Sequence, residues 1–223
     1  MDFQQFKKGQ PKRNLKLRIA FSKHLESEPV FELLNAVESE TGRRLKELIL
    51  QKQEEEAKHE SDSIAIPILE SYFEDEVSLA EAATEIASHF SIVALYSRIE
   101  IRTKQMCVIA LPGIVPQDLF LWKKLKKQLR TNGIDVEKMV NYREVNQLRC
   151  LNNSIKHSGI VDGELAATGW GKEGTEINAN KCRQSLPELA NAGEAYLGDL
   201  ASKLSFVIDG LTDEQAERQL STK

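Results

Sequence analysis

One short segment, residues 142–159, carries the side chains whose types and spacing best suit a chemical step. It holds four polar residues that are three, four and four positions apart: Asn146, Arg149, Asn153 and His157. On an α-helix this spacing puts each residue one turn from the next, along a single edge. An arginine binds a phosphate through two parallel hydrogen bonds, and a histidine transfers protons near neutral pH. The pattern therefore indicates phosphodiester chemistry that needs no metal ion.

A structural explanation of the same residues stays open. In that explanation Arg149 pairs with an acidic neighbour, and His157 ends the helix, where the helix dipole favours a cation. Lys156 is either a second phosphate contact beside Arg149 or an ordinary surface lysine. Asn152 falls in the apolar sector of the helix, beside Leu148, so we expect its amide to be buried and to bond backbone across the bundle or to order the following loop.

The composition indicates a globular helical protein. Apolar residues make up 41% of the 223 residues, charged residues 29% and aromatic residues 6%. A chain of this length can bury a core without disulfides or structural metals. The sequence predicts an all-α fold, a single helical bundle of four to five helices over residues 28–210. We expect a basic N-terminal arm over 1–27 and a short C-terminal tail over 211–223.

Capping residues and helix breakers locate the helices. An S-x-x-E capping box at Ser78 predicts the start of a long spine helix that runs to Leu111, after a brief separate helix over residues 64–73. Pro116 is expected to open the next helix. Asn141 is expected to cap the helix that carries the candidate residues.

The stretch over residues 160–184 is different, because it holds four glycines and Trp170. We expect one long, Gly-rich, ordered loop there, of the kind that often carries function in compact domains. Trp170 is expected to pack this loop onto the bundle, and stacking on a base is the alternative. The last major helix is then expected to begin at Ser185.

Charge is unevenly distributed along a chain whose net charge is −4. An acidic chain is a poor candidate for general DNA binding, which needs clustered Lys and Arg. Residues 1–24 nevertheless carry seven Lys and Arg against one acid, and residues 123–130 hold five more. Solvated surface is the simpler explanation of each cluster, although a basic N-terminal segment also suits RNA binding.

The cysteines and histidines fit no metal site or disulfide framework. Cys107, Cys150 and Cys182 are odd in number and widely spaced, and the four histidines lie on separate segments. Since no glycine-rich phosphate-binding motif is present either, no metal and no cofactor is expected. The N-terminus lacks the apolar core of a signal peptide, and no apolar run is long enough to span a membrane. We therefore expect a cytoplasmic protein with reduced thiols.

The segment Leu148–Gly159, which reads L-R-C-L-N-N-S-I-K-H-S-G, resembles the HEPN superfamily of compact α-helical domains from prokaryotic defence and toxin systems. Their signature is an arginine followed within a few residues by a histidine. The segment Trp122–Leu125 and the turn Gly133–Asp135 are also similar to that family. The resemblance covers residues 85–165, and its most specific part is the segment Leu148–Gly159.

This resemblance implies an RNA-binding protein, a metal-independent endoribonuclease in which Arg and His from two protomers of a homodimer face each other. It would make Arg149 the phosphate clamp, His157 the general acid and base, and Asn153 a positioning group, with Lys156 and Asn146 as substrate contacts. Seven residues separate Arg149 from His157, one more than is usual in the family. The alternative is therefore a non-catalytic helical module for dimerisation or for binding RNA, a nucleotide or a protein partner. A protein regulator is left open as a further partner.

Overall fold

The protein is described by a computed structural model that covers residues 9–58, 64–114 and 116–221. Over these ranges the secondary structure is helical, apart from an isolated bridge between Ile160 and Glu176. The prediction of an all-α protein is confirmed. The helices of the described ranges are α1 (Gln10–Ser22), α2 (Glu28–Lys58), α3 (Ala65–Ala110), α4 (Trp122–Thr131), α5 (Tyr142–His157), α6 (Gly163–Ala167), α7 (Ala179–Asp209) and α8 (Asp213–Ser221), with 3₁₀ turns at Pro116–Phe120 and Val136–Lys138.

Helix α3 is the spine of the fold. Its 46 residues span about 69 Å, and it packs against α1, α2, α5, α7 and α8. The predicted break at Ser78 is wrong, because α3 continues through that residue. Pro67 does not interrupt the helix, since it lies in the first turn, where a missing N–H costs little. Phe73 and Ala80, on either side of Ser78, are both buried, so packing outweighs the capping tendency of the serine.

The described part of the predicted N-terminal arm is a packed helix. Leu15 and Ile19 of α1 are fully buried, and α1 packs against α3, α7 and α8. Lys16 forms an ion pair with Asp209 at the end of α7. The prediction of an arm is therefore wrong for residues 10–22, because two apolar residues four positions apart give this charged segment a buried edge. Residues 1–8 of the predicted arm lie outside the described residues.

The predicted C-terminal tail is also a packed helix over its described part. The Thr212 hydroxyl accepts from the Gln215 backbone N–H, and the Gln215 side chain accepts from the Thr212 backbone N–H, which is a capping box. Ala216 is fully buried, and the Gln219 amide donates to the carbonyls of Val108 and Leu111 at the end of α3. The helix is held by these contacts.

The predicted loop over residues 160–184 is shorter than expected, because helices occupy both of its ends. Asp162 caps α6, and Asn178 caps α7 by accepting from the Lys181 N–H at 2.8 Å. Helix α7 thus begins six residues before the predicted start at Ser185 and contains Pro187. Trp170 is buried, which confirms that it packs the intervening residues onto the bundle. No helix within the described ranges combines the length and apolar character needed to cross a membrane.

Candidate functional site

Helix α5 has the extent that the sequence predicts, but it starts differently. Asn141 adopts the left-handed conformation with φ of 54° and makes no side-chain cap, so the predicted capping bond is absent. Leu148, in the predicted apolar sector, is buried, and so is Val145 on the same side of the helix. The helix ends at His157 because Gly159 takes a φ of 68° and donates its N–H to the Ser154 carbonyl at 2.9 Å.

A cavity of about 350 Å³ lies between α3, α5, α7 and the segment that joins the first 3₁₀ turn to α4. Four of the five predicted site residues line it: Arg149, Asn153, Lys156 and His157. Asn146 does not line this cavity but accepts a hydrogen bond from Arg149 Nε at 3.1 Å. The structure thus brings the guanidinium and the imidazole to the wall of the same cavity, and it gives Asn146 a positioning contact to Arg149.

The Arg149 guanidinium is held from one side. Its Nη2 donates to Glu164 Oε2 at 3.0 Å and approaches Cys150 Sγ at 3.2 Å. The guanidinium carbon also lies 5.8 Å from the centre of the Trp122 ring, within the range of a cation–π contact. Nη1 makes no hydrogen bond to the described part of the chain, so two of the five N–H donors are left for a ligand.

Burial and the Glu164 carboxylate act on Arg149 in opposite directions. Desolvation of the guanidinium disfavours its charge, but the hydrogen bond to Glu164 offsets this, and the pKa of Arg149 is raised. Burial also raises the pKa of the Cys150 thiol, although the neighbouring Arg149 charge opposes that shift. The alternative of an acidic partner for Arg149 is thus confirmed, but the partner occupies only part of the guanidinium.

Helix α6 positions the Glu164 carboxylate. The Ser154 hydroxyl donates to Asp162 Oδ2 at 2.9 Å, and Asp162 Oδ1 accepts from the Leu165 N–H at 2.8 Å. Asp162 therefore joins the buried side of α5 to the start of α6. Glu164 lies in the first turn of α6 and is 71% exposed, so solvent screens its attraction to Arg149.

Lys156 and His157 are exposed, in the last turn of α5. Neither side chain makes a hydrogen bond or ion pair to the described residues of the protein. Cations are favoured here by the C-terminal end of the helix dipole. The exposed end of the cavity therefore presents Lys156 and His157 to a ligand, while the one carboxylate among the described lining residues, Glu100, pairs with Lys104.

Buried polar groups form the opposite side of the cavity. Asn152 is 2% exposed, as predicted, but its Nδ2 donates to Asn153 Oδ1 at 3.1 Å instead of bonding backbone across the bundle. Its Oδ1 has no partner among the described residues, and neither has the hydroxyl of Tyr196 on α7. Burial raises the pKa of Tyr196, so its phenol stays protonated at neutral pH.

A second cavity, of about 490 Å³, shares Trp122 and Arg149 with the first. Its other lining residues include Lys123 and Lys126 of α4 and the predicted contact Asn146. Lys126 pairs with Glu137, whereas Lys123 makes no contact of this kind within the described ranges. The basic cluster over residues 123–130 thus adjoins the candidate site.

Several lining residues were not predicted from the sequence. No sequence pattern places Trp122 or Tyr196 beside α5, and Glu164 lies in the segment that the sequence predicts to be a loop. The first cavity, at α5, is also lined by Tyr96, Thr103 and Phe120. These residues come from elements far apart in the chain, and no local pattern joins them to α5.

No three His, Cys, Asp or Glu side chains of the described ranges come together as metal ligands would. In comparisons with known proteins, no protein-family model, no curated protein and no solved structure matches the chain. The interpretation of the site therefore depends on its own geometry and on the short segment of resemblance in α5.

Proposed function

We propose that this chain is a HEPN-like RNA-binding protein and a metal-independent endoribonuclease whose active site is the cavity at α5. The observation that carries the proposal is that Arg149, Asn153, Lys156 and His157 line one cavity. The resemblance of this helix to the HEPN signature supports RNA as the substrate and a prokaryotic defence or toxin system as the setting.

Arg149 is the proposed phosphate clamp. Its Nη2 and Nε are fixed by Glu164 and Asn146, which pre-orients the free Nη1 towards a ligand. A pre-oriented guanidinium stabilises the charge that develops on a phosphate oxygen during the reaction, where a mobile one would first have to be ordered. Lys156 adds a second cation at the cavity mouth.

His157 is the proposed proton carrier. The ribose 2′-oxygen attacks the adjacent phosphorus, and the bond from phosphorus to the 5′-oxygen breaks. The imidazole accepts the 2′-hydroxyl proton and returns a proton to the leaving 5′-oxygen, which gives a 2′,3′-cyclic phosphate and a 5′-hydroxyl end. No metal takes part in this step.

A homodimer is part of the proposal. The Cα atoms of Arg149 and His157 are about 12 Å apart along the helix axis. A site that combines Arg149 of one protomer with His157 of the partner subunit removes the need for both groups of one helix to reach the same phosphate.

A second candidate function is RNA binding without cleavage. It is favoured by the Arg149–Glu164 ion pair, which neutralises part of the charge that catalysis needs. The cavity and the neighbouring Lys123 still attract a phosphate backbone in this case. The two candidates differ in what His157 does, since only the first requires its proton transfer.

The experiment that tests the first candidate is cleavage of a synthetic single-stranded RNA in EDTA. The purified chain is expected to cut the RNA, to leave 2′,3′-cyclic phosphate ends, and to spare the same strand made with 2′-deoxyribose. His157→Ala is expected to lower the rate by about 10²–10⁴-fold. His24→Ala is the matched control, because His24 is an exposed histidine outside the cavity. RNA that binds but is never cut supports the second candidate, and cleavage that survives His157→Ala contradicts the first.

Mixing two inactive variants tests the shared site. In a mixture of His157→Ala and Arg149→Ala chains, half of the dimers contain one of each, and each mixed dimer keeps one intact site if the site spans two protomers. About a quarter of the wild-type activity is then expected to return. A site within one protomer gives no recovery.

A further inference from the structure

Two buried polar atoms of the cavity have no hydrogen-bond partner within the described part of the chain. They are Asn152 Oδ1 and the Tyr196 hydroxyl. Both residues line the cavity, and they are 2% and 1% exposed. An unpaired buried polar group destabilises the folded state, so two at one cavity form a cost that a bound molecule can remove.

The chemistry of the cavity changes from its mouth to its interior. Lys156 and His157 at the mouth are exposed cations or proton carriers, whereas Asn152 and Tyr196 are neutral and buried. Buried apolar side chains complete the wall between them: Ile99, Leu119, Leu125 and Val145. A volume of about 350 Å³ lies in the range of sites for small molecules, roughly 300–1,000 Å³. An anionic group attached to a flat ring with a polar edge matches this arrangement.

We propose that the interior of the cavity is a base-binding subsite that takes one nucleobase bearing an exocyclic amino group. Asn152 Oδ1 accepts a hydrogen bond from that amino group, and the Tyr196 hydroxyl donates to an acceptor on the base. This inference rests on the proposed function, since the phosphate of the same nucleotide then lies at the mouth of the cavity, beside Arg149 and Lys156.

The Tyr196 phenol is suited to the donor role. Burial raises its pKa, so it carries its proton at any physiological pH. The buried hydroxyl of Thr103 lowers that pKa against the larger effect of burial, as a donor to the phenol oxygen does, and the proton of the phenol itself has no acceptor among the described residues. The proton of the phenol is therefore available to a ligand.

Comparing the binding of cytosine and uracil distinguishes this subsite from a pocket that accepts any nucleotide. The two bases are alike in size and differ where cytosine has an amino donor and uracil has a carbonyl acceptor. With uracil in the subsite, its carbonyl oxygen would face Asn152 Oδ1. Both atoms are acceptors, so no hydrogen bond forms between them. Cytidine monophosphate is expected to bind at least about tenfold more tightly than uridine monophosphate.

The test is isothermal titration of the full chain with these two nucleotides. Asn152→Leu is expected to bring the two affinities within about twofold of each other, and Tyr196→Phe to weaken both by about tenfold. Tyr72→Phe is the matched control, because Tyr72 is an exposed tyrosine outside the cavity. Should Asn152→Leu fail to fold, the wild-type comparison and Tyr196→Phe still decide the question.

Equal affinity for the two nucleotides overturns the inference. So does the absence of binding of both nucleotides to the wild-type chain. The titration needs no cleavage, so its result is separate from that of the ribonuclease test. A cytidine preference in a protein that never cuts RNA leaves the subsite standing and removes the enzymatic proposal. RNA cleavage with no nucleotide preference removes the subsite alone.

Discussion

The cavity at α5 and the groove between α2 and α3 have similar sizes and different chemistry. The groove is the larger, at about 500 Å³, and is lined mainly by alanines and by exposed apolar residues such as Leu79 and Ile86. Its charged residues, Glu40 and Arg44, have partners in Arg43 and Glu76. The cavity instead combines an arginine, a histidine and two buried polar atoms that have no partner among the described residues. The difference teaches that unsatisfied polar groups, more than volume, identify the place where a ligand belongs.

The largest expected effect comes from a matched pair of arginine substitutions, one in the cavity and one in the groove. Arg149→Lys keeps the charge but loses the planar fork, so RNA cleavage is expected to fall by about 10²–10³-fold. Arg44→Lys makes the same change in the groove and is expected to leave cleavage unchanged. Initial rates of cleavage of one RNA measure both effects. Equal losses of rate in the two variants would contradict the assignment of the active site to the cavity.

A glycine pair compares the packing of the two regions. A Cβ on Gly193 of α7 would lie 2.5 Å from Ile99, a cavity-lining residue, so Gly193→Ala is expected to destabilise the fold by about 1–3 kcal/mol. A Cβ on Gly42 of α2, beside the groove, meets nothing within 4 Å. Gly42→Ala is therefore expected to stabilise by about 0.5–1 kcal/mol. Urea unfolding measures both, and a neutral Gly193→Ala would contradict the tight wall.

The free energy of unfolding at alkaline pH is expected to depend on Tyr196 of the cavity. Burial raises the pKa of Tyr196 in the folded chain, so above the unfolded value of about 10 only the unfolded chain ionises this group. The free energy of unfolding is then lost as pH rises, by about 1.4 kcal/mol per pH unit for this tyrosine, and is retained below pH 10. Tyr196→Phe is expected to flatten the slope, and Tyr72→Phe is not. Urea unfolding at pH 9, 10 and 11 measures how the free energy of unfolding changes with pH. An unchanged slope in Tyr196→Phe would show that Tyr196 does not cause the loss of stability.

The smallest expected effect concerns the basic helix α4. Lys123 adjoins the second cavity and has no partner among the described residues, so Lys123→Ala is expected to weaken RNA binding a few-fold and to reduce the salt slope by about one. Lys46→Ala on α2 is the control, an exposed lysine in the region of the groove. Binding isotherms at several salt concentrations test this, and equal slopes for both variants would remove α4 from the RNA path.

The sequence predicted best what local periodicity controls. The extent of α5 and the burial of Val145 and Leu148 follow from apolar spacing and from Gly159, and the structure has them. The continuity of α3 through Ser78 could not be predicted, since packing along the spine outweighs a local capping pattern. The burial of Leu15 and Ile19 was likewise hidden in a charged segment whose partners lie at the other end of the chain.

The candidate site was predicted only as far as one helix reaches. Spacing along α5 placed Asn146, Arg149, Asn153 and His157 on one edge, and all of these except Asn146 line the cavity. The Glu164 partner of Arg149 depends on the Asp162 cap of a helix that was predicted as loop. The position of the buried Tyr196 hydroxyl depends on how α7 packs against α3 and α5, which no local pattern encodes.

The packing of α1 has a consequence for how the chain folds as it is synthesised. Helix α1 leaves the ribosome well before α7 and α8, which are among its partners. Leu15 and Ile19 therefore stay without most of their final environment during translation, and contacts between such distant segments form slowly. Packing of α1 is thus expected to wait until α7 and α8 have been synthesised, so that segments from opposite ends of the described chain join in one late step.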